Sequence, residues 1–171
     1  VERSRGLGDV YKRQLPGDPY PGYHAMAVTA CMGHGDAKIV AELPAAFDPS
    51  KILFVGLRNW ERGEIKARQH QYGIKHLTPE EVAADSDALR AWLKSCGASK
   101  VVVHFDMDVL DPAEIVAAVG TDPDGMKIEA VIRVINDIAA EKELVGLTVA
   151  EPMPRTAIRL RDMLGRLPLL E

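Results

Sequence analysis

The chain has 171 residues, 47% of them hydrophobic and 27% charged, a composition that predicts one globular domain with a real core. A net charge of −4 and a pI of about 5.8 argue against a nucleic-acid or anionic-membrane partner, since either favours a basic face. Cys31 and Cys96 have no CxxC-type neighbour, so neither a zinc ribbon nor a disulfide framework is expected; free thiols point to a cytoplasmic protein, and no apolar run approaches the ~18 residues of a membrane span.

Residues 1–14, VERSRGLGDVYKRQ, are polar, basic and aperiodic and open on Val, which reads as non-native, adaptor-like sequence. Three prolines and two glycines make 15–23 a loop. Short helices are predicted over 24–32, closed by Gly33, and over 37–43. KILFVG (51–56) has the apolar run of a buried parallel strand. A polar helix follows over 61–71, then a short strand over 73–78. Thr78 and Glu81 have capping-box spacing and predict a helix through Ala84. An amphipathic helix is expected over 87–95, a second buried strand over 100–105 and a helix over 111–119. The apolar stripe of 127–141 predicts a longer helix. LVGLTVA (144–150) reads as the last strand and 155–167 as a last amphipathic helix.

Strands thus alternate with helices, the pattern of an α/β chain with a parallel sheet covered on both faces. Ligands in such sheets sit beyond the carboxyl ends of the strands. Polar residues follow three of the predicted strands here: Arg58 to Glu64, then Asp106 and Asp108, then Glu151.

Asp106 and Asp108 are the sharpest feature. Residues i and i+2 of a strand share a face, so both carboxylates should project together, with Phe105 and Met107 opposite. Two carboxylates that close repel unless a cation or proton lies between them, and a hard divalent ion prefers such oxygen ligands. The competing reading is that both acids cap the following helix, near Asp111 and Pro112. FDMDV also resembles the strand end of haloacid-dehalogenase-like hydrolases, which would make Asp106 a nucleophile and Asp108 a general acid.

A longer context resembles another family. HFDMDVLDPAE (104–114) is similar to the (S/H)-F-D-x-D-x-L-D-P segment of the arginase family, the ureohydrolases. YHAMAV (23–28), ILFVGLRNWERGE (52–64) with GIKHL after it, and GLTVAEPMP (146–154) resemble three further family segments in the same order. This resemblance implies a three-layer α/β/α fold with a mostly parallel sheet, of which 15–171 would be the C-terminal part. It implies two Mn²⁺ ions bridged by a hydroxide that attacks a guanidinium or formimino carbon. Asp106 and Asp108 match metal ligands. Glu151 matches the acid that receives the guanidinium, and His24 the imidazole that passes a proton to the leaving amine. Glu61 and Glu64 match acids that contact the amino-acid end of the substrate. The intact parent would hydrolyse L-arginine to L-ornithine and urea as a homotrimer or homohexamer, with neither nucleic acid nor membrane as partner. Agmatinase- or formiminoglutamase-type hydrolysis, and a non-catalytic subunit of the same fold, stay open.

The resemblance also has gaps. The family's Gly-Gly-Asp-His and Asp-Ala-His-x-Asp segments would lie before His24, and nothing here supplies them; GHGD (33–36) lies after it. Ala25 stands where the family has Gly. A fragment of this kind is expected to bind metal weakly, to turn over little and to expose a sheet edge. Of the other histidines, His104 should point with the two aspartates and reads as a packed strand residue, while His34, His70 and His76 read as surface or loop positions. Trp60 and Trp92 read as packing residues.

Overall fold

The computed structural model describes residues 15–18, 22–60, 62–118, 122–153 and 157–170. They divide into two units, one formed by 55–58 with 77–170 and the other by 15–54 with 59–76.

The larger unit is organised around β3 (Lys100–Asp106) and β4 (Glu143–Ala150), which pair in parallel with Val103 opposite Leu147 and Asp106 opposite Ala150. The connection between them carries α5 (Ile128–Glu141), as a parallel pair requires. Five of the six buried residues of α5 are β-branched (Val131, Ile132, Val134, Ile135 and Ile138), so tertiary burial rather than intrinsic propensity decides this helix. Its N-terminus is closed by Glu114, whose Oε2 accepts from the Ile128 N–H at 2.7 Å. α4 (Asp87–Ser95) lies against α5, burying Leu89 and Leu93, and Arg90 reaches Asp137 at 2.8 Å. α6 (Ala157–Leu164) buries Leu160 and Met163. Among the described residues no helix is long and apolar enough to cross a membrane.

Three local expectations are corrected. β3 is not buried throughout: Val102 and His104 are exposed and only Phe105 and Asp106 are buried, so the strand is covered on one side along most of its length. The helix expected over 111–119 is replaced by a turn at 112–114, because Asp111 Oδ1 accepts from the Ala113 N–H at 2.9 Å and bends the chain; Val119 lies outside the described residues. The capping box does form, with Thr78 N–H to Glu81 Oε2 at 2.7 Å and Glu81 N–H to Thr78 Oγ1 at 3.4 Å. It closes only a 3₁₀ turn, Glu80–Val82, since Asp85 and Ser86 already start α4 through Asp87 N–H to Asp85 Oδ1 and Arg90 N–H to Ser86 O.

In the smaller unit a 3₁₀ turn, Tyr23–Met26, leads into α1 (Ala27–Cys31), and α2 (Ala37–Glu42) follows, capped by Asp36. The strand expected over 51–56 shrinks to β1 (Leu53–Val55), because Asp48 caps a turn over Pro49–Lys51. β1 pairs with β2 (Lys75–Leu77). α3 (Gly63–Gln71) buries Ile65 and Gln69. Trp60 is a packing residue, as expected. Its Nε1–H donates to Gln69 Oε1 at 2.7 Å and its ring meets His76 edge-on, centroids 4.9 Å apart. His76 is accordingly half-buried rather than a surface residue.

Candidate metal centre

Asp106 is the last residue of β3. The strand stops there because the Asp106 carboxylate turns back on the main chain: its Oδ1 accepts from the Asp108 N–H at 3.1 Å and caps a 3₁₀ turn, Met107–Val109. The two aspartates therefore do not sit on one face of a strand, as alternation predicted; Asp108 lies in the turn. Of the two acids Asp106 realises the capping alternative, while Asp108 sits within the turn that Asp106 caps; Asp111 caps the next bend. Capping and convergence coexist here. Asp106 is 7% and Asp108 1% exposed, and both Phe105 and Met107 are buried as well.

Glu151 joins them through the register of the sheet. Asp106 is paired with Ala150, so the next residue of the β4 chain emerges beside the end of β3. Glu151 is exposed and has φ 59°, in the left-handed region that a residue with a side chain rarely occupies. One carboxylate oxygen from each of Asp106, Asp108 and Glu151 can be chosen such that all lie within 4.8 Å of one another. Three carboxylates at this spacing form an all-oxygen donor set, which fits a hard divalent cation and not a soft one. One oxygen from each of the two buried aspartates supplies about a third of what an octahedral ion takes, and the exposed Glu151 lies beside them.

The turn that carries Asp108 is held closely. At Gly56, with φ 81°, a Cβ would come within 2.4 Å of Val109 Cγ2 and 2.7 Å of Met126 Sδ. At Gly125 a Cβ would meet the Leu110 carbonyl and the Asp111 nitrogen at 2.6 Å. Met126 N–H donates to Val109 O at 2.8 Å, and Asp111 N–H donates to Met126 O at 2.9 Å. Lys127 Nζ closes on Asp111 Oδ2 at 2.5 Å. This ammonium, followed by the Ala113 N–H, holds the Asp111 carboxyl below the usual carboxylate range.

Arg58 lies beside this turn, and sequence reasoning did not single it out. Its guanidinium donates to the carbonyls of Asp108 and Asp122, and burial lowers its pKa against the opposing pull of the Asp122 and Asp108 carboxylates. The only signal was its place in a polar stretch after a strand; its partners lie 50 and 64 residues away in sequence.

The remaining expected site residues lie in the smaller unit or outside the described residues. His24 is exposed in the turn Tyr23–Met26, where Ala25 and Met26 are the buried residues. Glu64 is exposed in the first turn of α3. Glu61 lies outside the described residues. His104 is exposed, not packed, and its Nδ1 lies 2.7 Å from Thr148 Oγ1 on the neighbouring strand.

The model of the arginase family matches residues 15–162. A curated arginase from Entamoeba histolytica is 26% identical over 141 residues, which cover 80% of this chain and 47% of that protein. Among solved structures, E. histolytica arginase in complex with L-ornithine aligns at a TM-score of 0.81 and 19% identity over 94% of this chain and 57% of that one. An arginase from Bacillus subtilis aligns at 0.71 and 19% over 80% and 49%. A hypothetical agmatinase from Burkholderia thailandensis aligns at 0.53 and 24% over 70% and 35%. These likenesses establish the α/β fold of part of such a domain, and the chain spans about half the length of the curated relative it matches.

Proposed function

The chain belongs to the arginase family, and from that premise we propose that it is the C-terminal part of an enzyme that hydrolyses a guanidino C–N bond, with L-arginine giving L-ornithine and urea. The observation that carries the reading is the convergence of Asp106, Asp108 and Glu151 beyond the ends of two neighbouring parallel strands. That arrangement supports a cation-binding role for Asp106 and Asp108, with Mn²⁺ as the ion and two ions in the whole enzyme. A divalent pair bound there supplies the Lewis acidity that generates a nucleophile from water near neutral pH.

The chain's own residues divide the remaining work. The buried Asp106 and Asp108 carboxylates hold charge at a fixed place away from water. Glu151, exposed and held in a rare backbone conformation, offers its two oxygens to a planar guanidinium, which suits parallel N–H···O bonds. The His24 imidazole passes a proton to the leaving amine, a task such a group performs near neutral pH. Glu61 and Glu64 contact the cationic amino end of the substrate.

L-arginine is favoured over agmatine by the arginase relatives, while the agmatinase likeness keeps agmatine as the second reading. The test is urea release by the complete Mn²⁺-loaded enzyme. L-arginine should be turned over, and an Asp106→Asn, Asp108→Asn double variant should lose at least about a hundredfold of that rate. Urea from agmatine but not from L-arginine would move the reading to an agmatinase. An unchanged rate in the double variant would sink the metal assignment.

A further inference from the structure

Arg58 stands just beyond β1 and spends its guanidinium on main-chain carbonyls. Its Nε–H donates to Pro123 O at 2.9 Å. One terminal nitrogen donates to Asp122 O at 2.8 Å and Asp108 O at 3.1 Å, and the other reaches Val109 O at 3.5 Å. The acceptors belong to two segments, 108–109 and 122–123. Downstream of these bonds the chain joins the same two regions through Met126 N–H to Val109 O and Asp111 N–H to Met126 O. Asp108 is therefore fixed at both of its peptide groups: the N–H by Asp106 Oδ1 and the C=O by Arg58. A main chain fixed on both sides of Cα fixes the Cα–Cβ direction, and with it the range of the carboxylate.

We propose that Arg58 is the positioning residue of this centre, a guanidinium staple that presents the Asp108 carboxylate to a divalent cation at a set angle. The role rests on the metal-binding reading above. It needs arginine specifically, since a planar fork of five donors can serve carbonyls of two segments at once, whereas an ammonium is a single point of charge. The nearby carboxylates of Asp122, Asp108, Asp111 and Asp124 keep that charge compatible with its half-buried setting.

The test uses the 171-residue chain, labelled for amide NMR, in chelator and in a Mn²⁺ titration. In Arg58→Lys, the Asp111 and Met126 amides should exchange at least about tenfold faster while the Leu93 amide in α4 keeps its rate. The Mn²⁺ concentration that half-broadens the signals of 106–111 should rise about 10- to 100-fold, the usual effect of losing a group that orients a metal ligand. Arg166→Lys, which weakens an exposed pair with Glu129, should move neither reading. If Arg58→Lys loses its dispersed spectrum, Arg58→Gln, which keeps a planar donor group, replaces it with the same expectations. Wild-type exchange at Asp111 and Met126 would remove the staple. Faster exchange spread evenly over the chain would also remove it, since that marks lost global stability. Asp108→Asn should abolish the broadening. If it broadens at the wild-type Mn²⁺ concentration, the metal reading falls and takes the ligand-positioning role with it, whereas unchanged exchange in Arg58→Lys removes the staple alone.

Discussion

The two ends of the β3–β4 ladder invert the usual placement of residues. Near the start of the ladder Val102 and Val145 are 57% and 49% exposed, while at the other end Asp106 and Asp108 are 7% and 1% exposed. Burying a valine is favourable at roughly 25 cal/mol per Å² of apolar surface, and burying a carboxylate is costly unless it is paired or bound to a cation. The ladder therefore gains little at its apolar end and carries a cost at its charged end. Its stability has to come from Phe105, Met107 and the packed face of α5, and its charged end carries the carboxylates that could hold a metal ion. In sheets of this kind the difference between the two ends of a strand separates structure from chemistry.

The largest expected break of this arrangement lies at Gly56. Replacing it with Ala forces a side chain into φ 81° and sets a Cβ 2.4 Å from Val109 Cγ2, directly against the turn that carries Asp108. Backbone strain and overpacking together should cost about 2–4 kcal/mol in a chemical-denaturation midpoint series. A cost below about 1 kcal/mol would mean that the turn shifts freely, and the charged end would then not be a rigid site.

The charged end should also be the acid-sensitive one. Lys127 holds the Asp111 carboxyl below its ordinary value, so the pair contributes stability that is fully present above the unfolded carboxylate value of about 3.9. That contribution is lost as pH falls through the lower folded value. Wild type should therefore lose more stability than Lys127→Met on acidification below about pH 4, and the two should run parallel above about pH 5. Thermal midpoints over pH 3–7 measure this. Parallel curves throughout would leave the 2.5 Å contact between Lys127 and Asp111 without energetic weight.

Much of this arrangement was legible in the sequence, and the limits have physical causes. Periodic patterns found α4, whose apolar Leu89 and Leu93 recur at helical spacing, and α5, whose stripe of isoleucines and valines is long. The rule that parallel strands carry sites at their carboxyl ends selected Asp106, Asp108 and Glu151, and the fold does bring an oxygen of each within 4.8 Å of the others. It could not show that Asp108 sits in a turn, because that depends on the Asp106 side chain accepting from the main chain instead of pointing outward. Nor could it show the staple at Arg58, whose carbonyl partners lie 50 to 65 residues along the chain. The helix expected over 111–119 failed for a local reason, the bend at Asp111. His104 reads in sequence as a packed strand residue, whereas exposure is set by what covers the sheet, and no pattern within the strand encodes that.

The smallest expected effect sharpens the comparison most directly. Val102→Thr keeps a β-branched side chain with high strand propensity and exchanges one exposed methyl for a hydroxyl. On a face this open the change should stay within about 0.5 kcal/mol, although only three positions away Phe105→Ala should cost about 3–5 kcal/mol. The first variant removes no volume from an open face and the second removes a whole ring from a buried one, so the Val102→Thr cost by itself reports how open that face is. A cost above about 1 kcal/mol for Val102→Thr would mean that the valine face is covered in solution. Repeating the measurement over a range of protein concentrations would then identify the cover: a cost that fades on dilution belongs to a contact between copies, and one that persists belongs to the chain itself.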